Sequence, residues 1–292
     1  MTLPRERAKY SAIVDRPSLV LPNGARMVVW TIVNVEVWDI SRRMPRQALP
    51  APTGDVSLPD VPHWSWHEYG MRVGFWRFFE LYEKLRMRPT LAINARVCLD
   101  YPRVAQACKD AKWEFMGHSF EQGPIHGEKD QPAMIERTLS TIQQFTGKRP
   151  VGWLGPGLTE TYDTPDYLAA AGIKYIGDWV YDEEPTEIET KHGPLVALPY
   201  TIELNDISMM VVQHHEAAYW TQKCIDAFDR LYEESARRSK FMAIAIHPYI
   251  SGHPFRIKYL EAIYEHIAKF PGVLHWNGEE ILDWYLKTKK GK

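Results

Sequence analysis

The chain has 292 residues, enough for one large α/β domain or two small ones. A net charge of -2 offers no basic face to nucleic acid or an anionic membrane, and no apolar stretch approaches the ~20 residues that a membrane helix needs. The three cysteines (Cys98, Cys108, Cys224) lack metal spacing, and the amino-terminal segment is charged without an apolar core, so the expected setting is a reducing cytoplasm.

Residues 1–25 are polar and proline-containing and read as a surface arm of the kind that packs on a neighbouring subunit. The run Met27 to Asn34 is a continuous apolar strand leading to a carboxylate, Glu36. Residues 39–67 are rich in Pro, Arg, Trp and His, and an irregular stretch of that length predicts a functional lid. Glu68 to Lys84 carries apolar residues at helical spacing, Thr90–Asn94 is a short strand, and Tyr101-Pro102 opens a helix that ends near Lys112. Trp113–His118 is a strand ending in a histidine. A helix follows over about 132–145. Val151 to Leu154 is a strand running into the turn Gly155-Pro156-Gly157, and the helix opened by Thr164-Pro165 stops at Gly172. Lys174–Trp179 is a strand containing Asp178. Leu195–Tyr200 and Ser208–Gln213 also read as strands, and Ala217 to Arg238 as a long amphipathic helix. Phe241–Ile246 is an apolar run that ends abruptly at His247, followed by a Pro/Gly turn and a helix over about 255–269. A last strand, Val273–Trp276, precedes a helix capped by Asn277.

This alternation predicts an α/β fold: a deformed (β/α) barrel of about seven parallel strands in a single domain spanning 26–292. Neither a G-x-G-x-x-G after a strand nor a G-x-x-x-x-G-K-[ST] is present, so dinucleotide and phosphate-loop readings fall away. Four strands end in polar groups, Glu36, His118, Asp178 and His247, which a barrel would direct into one mouth. A carboxylate with two imidazoles suits hydrolysis of a carbonyl compound: one group activates water, another protonates the leaving group, and a donor stabilises the oxyanion.

Glu36, His118-Ser-Phe-Glu-Gln122, Gly155-Pro-Gly157, Asp178-Trp179 and His247 fall in the order of the five motifs of the polysaccharide deacetylase superfamily, which the chain resembles from about Val28 to its end. The resemblance is strongest to the branch of metal-independent allantoinases and cyclic imide hydrolases. It rests on Tyr69-Gly-Met-Arg-Val-Gly-Phe-Trp-Arg77, on Pro199-Tyr-Thr-Ile-Glu-Leu-Asn-Asp206 and on His247 to Arg256. Departures stand out: the superfamily's metal-binding carboxylate is replaced by Val37, its second motif histidine by Gln122, and the arginine of its third motif by Leu154. A lone His118 does not hold zinc, which wants about three protein ligands.

The resemblance implies a hydrolase acting on a carbon–nitrogen bond of a small cyclic amide, imide or ureide, with no cofactor. Glu36 would position or deprotonate water, His247 act as acid or base, and His118 bind the carbonyl or oxyanion. Gln122, Trp179, Tyr200, Asn205 and Arg256 would contact substrate. Asp206 would orient a neighbour. Two other readings stand: a metal-dependent N-acetyl-sugar deacetylase whose zinc is completed by His126 or Glu121, and an inactive barrel kept as a binding protein. The expected partner is a small molecule, and the expected assembly a homodimer or homotetramer.

Overall fold

A computed structural model describes residues 2–51 and 53–290; Met1, Pro52, Gly291 and Lys292, which fall in the predicted arm, loop and barrel, lie outside the described residues. The strands are β1 (Met27–Val35), β2 (Thr90–Ile93), β3 (Glu114–Gly117), β4 (Gly152–Trp153), β5 (Tyr175–Ile176), β6 (Thr186–Ile188), β7 (Leu195–Ala197), β8 (Lys240–Ile246) and β9 (Val273–His275). They form one sheet in the order β6-β7-β5-β4-β3-β2-β1-β8, with β9 paired to β1. Every pairing is parallel except β6 with β7, so the path from β7 to β8 contains the seven parallel strands expected. β1 is the pivot. Along its length it pairs with β8, while its other edge takes β9 at Met27–Val29 and β2 at Ile32–Val35. The chain after β7 returns to β8 through a parallel bridge from Asn205 to Ala245, which draws the sheet into a barrel.

Side-chain alternation sets the two faces. Val28, Trp30 and Ile32 of β1 meet Ala92, Met116, Tyr175, Val196 and Ala243 inside the barrel. Met27, Val29, Val33 and Val35 face outward, against the surrounding helices. Those helices include Phe75–Leu85, Gln131–Thr146, Ala217–Glu234 and Pro254–Ile267. The final helix, Gly278–Lys290, is capped as predicted: the Glu280 N–H donates to Asn277 Oδ1 at 3.0 Å, and the Asn277 N–H to Glu280 Oε2 at 2.9 Å.

Besides the unexpected strand β6 and a helix at Val61–Tyr69 that begins inside the stretch read as irregular, two expected elements take another form. Ile207–Val212 is a π-helical turn, not a strand. Asn205 Oδ1 accepts the Ile207 N–H at 2.8 Å and starts the turn, and a short apolar run carries no period that separates helix from strand. The expected helix from Glu68 to Lys84 is broken by a π-helical turn at Gly70–Gly74. The amino-terminal arm is fastened to its own chain: buried Arg7 donates to both oxygens of Asp166 at 2.8 Å and to the Tyr162 carbonyl at 2.8 Å. Among the described residues, no helix is long and apolar enough to cross a membrane.

The amino-terminal end of the barrel is closed by a polar plug. Trp30 Nε1 donates to Thr90 Oγ1 at 2.7 Å, and Thr90 Oγ1 to Glu114 Oε2 at 2.6 Å. The Gly278 N–H also reaches Glu114 Oε2, at 2.7 Å, and the Tyr175 hydroxyl donates to Glu114 Oε1. Burial raises the Glu114 carboxyl to about 7, against these donors. A carboxyl raised on folding binds its proton more tightly in the native state, so its contribution is full below 4.5 and is lost as pH rises through about 7. Glu114→Gln should remove that dependence. Its stability relative to wild type should rise between pH 5 and 8 by on the order of 3 kcal/mol in urea unfolding. A constant difference would refute the assignment.

Candidate active site

Barrel parity builds the site. Interior positions on β1 run 28, 30, 32, and the same register carried past the strand end brings Asn34 and Glu36 to the carboxyl-terminal mouth. On β3, Glu114 and Met116 lead to His118. On β8, Phe241, Ala243 and Ala245 lead to His247. Three of the four predicted strand-end groups therefore converge. The Glu36 Oε1 atom lies 3.7 Å from His118 Nε2 and 3.6 Å from His247 Nε2. All three residues are buried. Asp178 is the correction. Tyr175 faces inward on β5, so Asp178 is out of phase and turns away from the cluster, with its Oδ1 accepting the Gly155 N–H at 2.7 Å.

The Glu36 carboxylate is held from several sides. Trp38 Nε1 donates to Oε2 at 2.9 Å and Gln122 Nε2 to Oε1 at 2.9 Å. Burial pushes its pKa upward, but the His118 and His247 imidazoles and the Trp38 indole outweigh burial and hold the carboxyl at about 2. Each histidine is fixed from behind. His118 Nδ1 lies 2.6 Å from the Leu154 carbonyl, which makes Nδ1 the donor and leaves Nε2 toward Glu36. His247 Nδ1 lies 2.7 Å from Asp206 Oδ1, while Asp206 Oδ2 accepts the His247 backbone N–H at 2.8 Å and the Ser251 hydroxyl at 2.6 Å. Asn94 braces the floor, accepting the Val37 N–H at 2.8 Å and donating to the His118 carbonyl.

An aromatic cover closes the cluster. Trp38 stacks on His67 at 4.9 Å and meets Tyr249 edge-on at 5.0 Å, and Trp66 meets Tyr249 at 4.9 Å. Burial holds His67 at about 4, so it is neutral. The buried Tyr249 hydroxyl and His67 Nδ1 have no protein partner among the described residues. The glycines of the Tyr69–Arg77 signature make this packing possible: a Cβ on Gly70 would lie 2.6 Å from the Tyr249 nitrogen. Within the 39–67 segment Met44 is buried, Arg42 pairs with Glu121 at 3.1 Å, and the Ala48 and Leu49 N–H groups donate to His63 Nε2 at 3.0 Å.

The remaining predicted contacts scatter. Asn205 Nδ2 donates to the Tyr200 hydroxyl at 2.7 Å, and its Oδ1 caps Ile207, so these two residues are committed to the barrel wall and to each other. Trp179 Nε1 donates to Glu160 at 2.8 Å, on the far side of Asp178. Arg256 is half-buried, 3.4 Å from the Ile250 carbonyl, and Arg72 pairs with Glu68 at 3.0 Å. His214 and His215 sit exposed in a surface turn. His67, Tyr249 and Glu160 were missed. Only Tyr249 carried a sequence signal, its place in the turn after His247.

The superfamily's divalent metal does not fit this donor set. Val37 offers no ligand, and Gln122 and Trp38 present N–H groups to the Glu36 carboxylate where a cation would need lone pairs. Glu121 is engaged by Arg96 at 2.9 Å and by Arg42, and His126 is exposed and borders a different cavity, so neither completes a site. Among the described residues, no group of three or more His, Cys, Asp or Glu could hold a metal ion.

No family model matches the chain. It is 28% identical over 250 residues to a candidate polysaccharide deacetylase of Schizosaccharomyces pombe (strain 972), covering 75% of each chain. It is 25% identical over 257 residues to the peptidoglycan deacetylase of Helicobacter pylori (strain 26695), covering 75% of this chain and 86% of that one. Both relatives carry deacetylase names, and the chain is similar to the polysaccharide deacetylase superfamily. Its fold is similar to that of the PuuE allantoinase, with a TM-score of 0.84, 23% identity and 98% of both chains covered.

Asp206 is the strut on which His247 depends. Asp206→Ala leaves three buried donors unpartnered and should cost about 3 kcal/mol or more in urea unfolding. Asp206→Asn keeps an acceptor and should cost less. A loss under about 1 kcal/mol for Asp206→Ala would mean that the strut is not needed.

Proposed function

We propose that this protein is a metal-independent hydrolase of a carbon–nitrogen bond in a small cyclic amide, imide or ureide. One observation carries the reading: a buried Asp206–His247 pair points its free nitrogen at the place where the ligand set for a metal is broken. Asp206 accepts from His247 Nδ1, which leaves Nε2 as the basic atom and stabilises the imidazolium that forms. The relation to the allantoinase, a protein of the same fold over nearly the whole length, adds support.

In this reading His247 takes a proton from water and returns it to the departing nitrogen. Glu36, at about 2, is too weak a base to do so. Its part is to hold the attacking water and to keep the two imidazoles apart and aligned. His118, its Nδ1–H held on the Leu154 carbonyl, turns Nε2 to the reacting carbonyl and serves the developing oxyanion in its imidazolium form, and the second Gln122 N–H serves the same oxygen. The Tyr249 hydroxyl and His67 Nδ1, unpartnered and buried beside this cluster, are suited to the second polar edge of a cyclic diamide. A small substrate, a cytoplasmic setting and a homo-oligomer belong to the same proposal. The deacetylase names of the two sequence relatives favour a second reading, acetate release from an N-acetyl sugar with bound metal.

A turnover panel of hydantoin, succinimide, allantoin and an N-acetylglucosamine oligomer, with elemental analysis of protein purified without added metal, separates the two. Ring-opened product without stoichiometric metal is the expected result, and zinc with acetate release would overturn it. His247→Ala should lower kcat by about 10²–10⁴-fold while the fold is kept. Near-normal turnover from that variant would remove His247 from the chemistry.

A further inference from the structure

Behind His118 stands a second acid pair that the proposed chemistry does not use. The Leu154 carbonyl that accepts from His118 Nδ1 belongs to the same peptide unit as the Gly155 N–H. That N–H donates to Asp178 Oδ1 at 2.7 Å, opposite the 2.6 Å contact to the histidine. Asp178 and His118 are therefore joined through one peptide. The other Asp178 oxygen, Oδ2, is buried and has no donor among the described residues. The same is true of Glu160 Oε1, while Glu160 Oε2 accepts from Trp179 at 2.8 Å. The two carboxyls line the same cavity, and Glu160 is hydrogen-bonded to Trp179, the residue next to Asp178. Two carboxylates so placed repel, and each buried free oxygen lacks a donor. A single proton between them removes both costs.

We propose that Asp178 and Glu160 hold one shared proton, and that Asp178 is a positioning residue that fixes the Leu154–Gly155 peptide and, through it, the Nδ1–H form of His118.

The surroundings say where the proton rests. Burial and the Glu160 charge push Asp178 well above the carboxylate range. Burial also raises Glu160, but Trp179, Asp178 and the Arg7 guanidinium work the other way there. In the proposed pair Asp178 carries the proton and Glu160 stays the anion, beside the Trp179 indole N–H. The charged and titratable neighbours are Arg7 from the amino-terminal arm, His126 across a cavity of about 630 Å³, and Tyr200 beside Asp178. The neutral acid has one donor for Glu160 and one acceptor for Gly155, the same pattern as an asparagine amide. The peptide it grips cannot turn without breaking the bond that orients His118.

The inference deepens the hydrolase reading, but its test needs no substrate, so failure of one is separable from failure of the other. Infrared difference spectra at neutral pH, wild type minus Asp178→Asn, should contain the C=O band of an un-ionised carboxyl; the Glu114 carboxyl is common to both proteins and cancels. Glu160→Gln supplies an amide donor in place of the proton and should abolish the same band. In histidine-labelled protein, with His118 assigned by the signal lost in His118→Gln, Asp178→Asn should keep the Nδ1–H tautomer and the titration midpoint. Asp178→Leu should mix the tautomers and move the midpoint by about one pH unit. Absence of the band in wild type overturns the shared proton. A His118 signal as disturbed in Asp178→Asn as in Asp178→Leu, or undisturbed in both, overturns the coupling through the peptide. If Asp178→Leu does not fold, the infrared band and the Asp178→Asn tautomer decide.

Discussion

A carboxylate cannot be left bare inside a protein, and much of this barrel's carboxyl-terminal end answers that constraint at Glu36. The residue projects inward because β1 alternates strictly and is buried along its whole length. Once there, its charge has to be met by donors that are themselves held in place. Trp38 and Gln122 supply N–H groups, and the two imidazoles supply partial or full positive charge. Each imidazole then needs a partner behind it, the Leu154 carbonyl for one and Asp206 for the other. The aromatic cover of Trp38, His67 and Tyr249 keeps this arrangement out of water, which strengthens every charge interaction within it.

Seen this way, the altered ligand positions are consistent with one another. Val37 offers no ligand and Gln122 presents an N–H to Glu36, so in the proposed metal-independent reading the imidazoles balance Glu36 and Asp206. Gln122 is suited to it, since an amide donates where a second histidine would compete for the same proton. The opposite end of the barrel solves a similar problem differently. Glu114 has hydroxyl and backbone donors but no cation, and burial raises its pKa to about 7. Two buried glutamates on one barrel interior thus sit at opposite extremes, and the difference is the presence of imidazole.

Much of the architecture was legible because it follows from period. The β1 and β8 runs are long enough to be unambiguous, and interior parity carries Glu36, His118 and His247 to one point. The same rule, applied with the strand's phase, would have moved Asp178 out of the cluster; β5 is too short for that phase to be read from sequence. The expected strand Ser208–Gln213 fails for a related reason: so short a run shows no period, and the deciding contact is the Asn205 cap on Ile207. The roles of Tyr200 and Asn205 were hidden because hydrogen bonding between them depends on the return of the chain to β8. Glu160 was invisible: a loop glutamate becomes meaningful only when folding buries it beside another acid.

The two histidines face the same carboxylate at nearly equal distances, yet their supports differ, and that difference argues for separate tasks. His247 rests directly on a carboxylate anchored by two further donors, a backing that favours a proton arriving at Nε2 during reaction. His118 rests on a neutral carbonyl, and in the proposed pair the acid beyond that peptide is uncharged. A charged Asp178 would polarise the peptide and draw the two imidazoles toward equal basicity. Pairing Asp178 with Glu160 prevents this and keeps the asymmetry. One imidazole is then suited to exchange protons with water and leaving group, while the other is held in a single tautomer, with one nitrogen aimed at the reacting carbonyl.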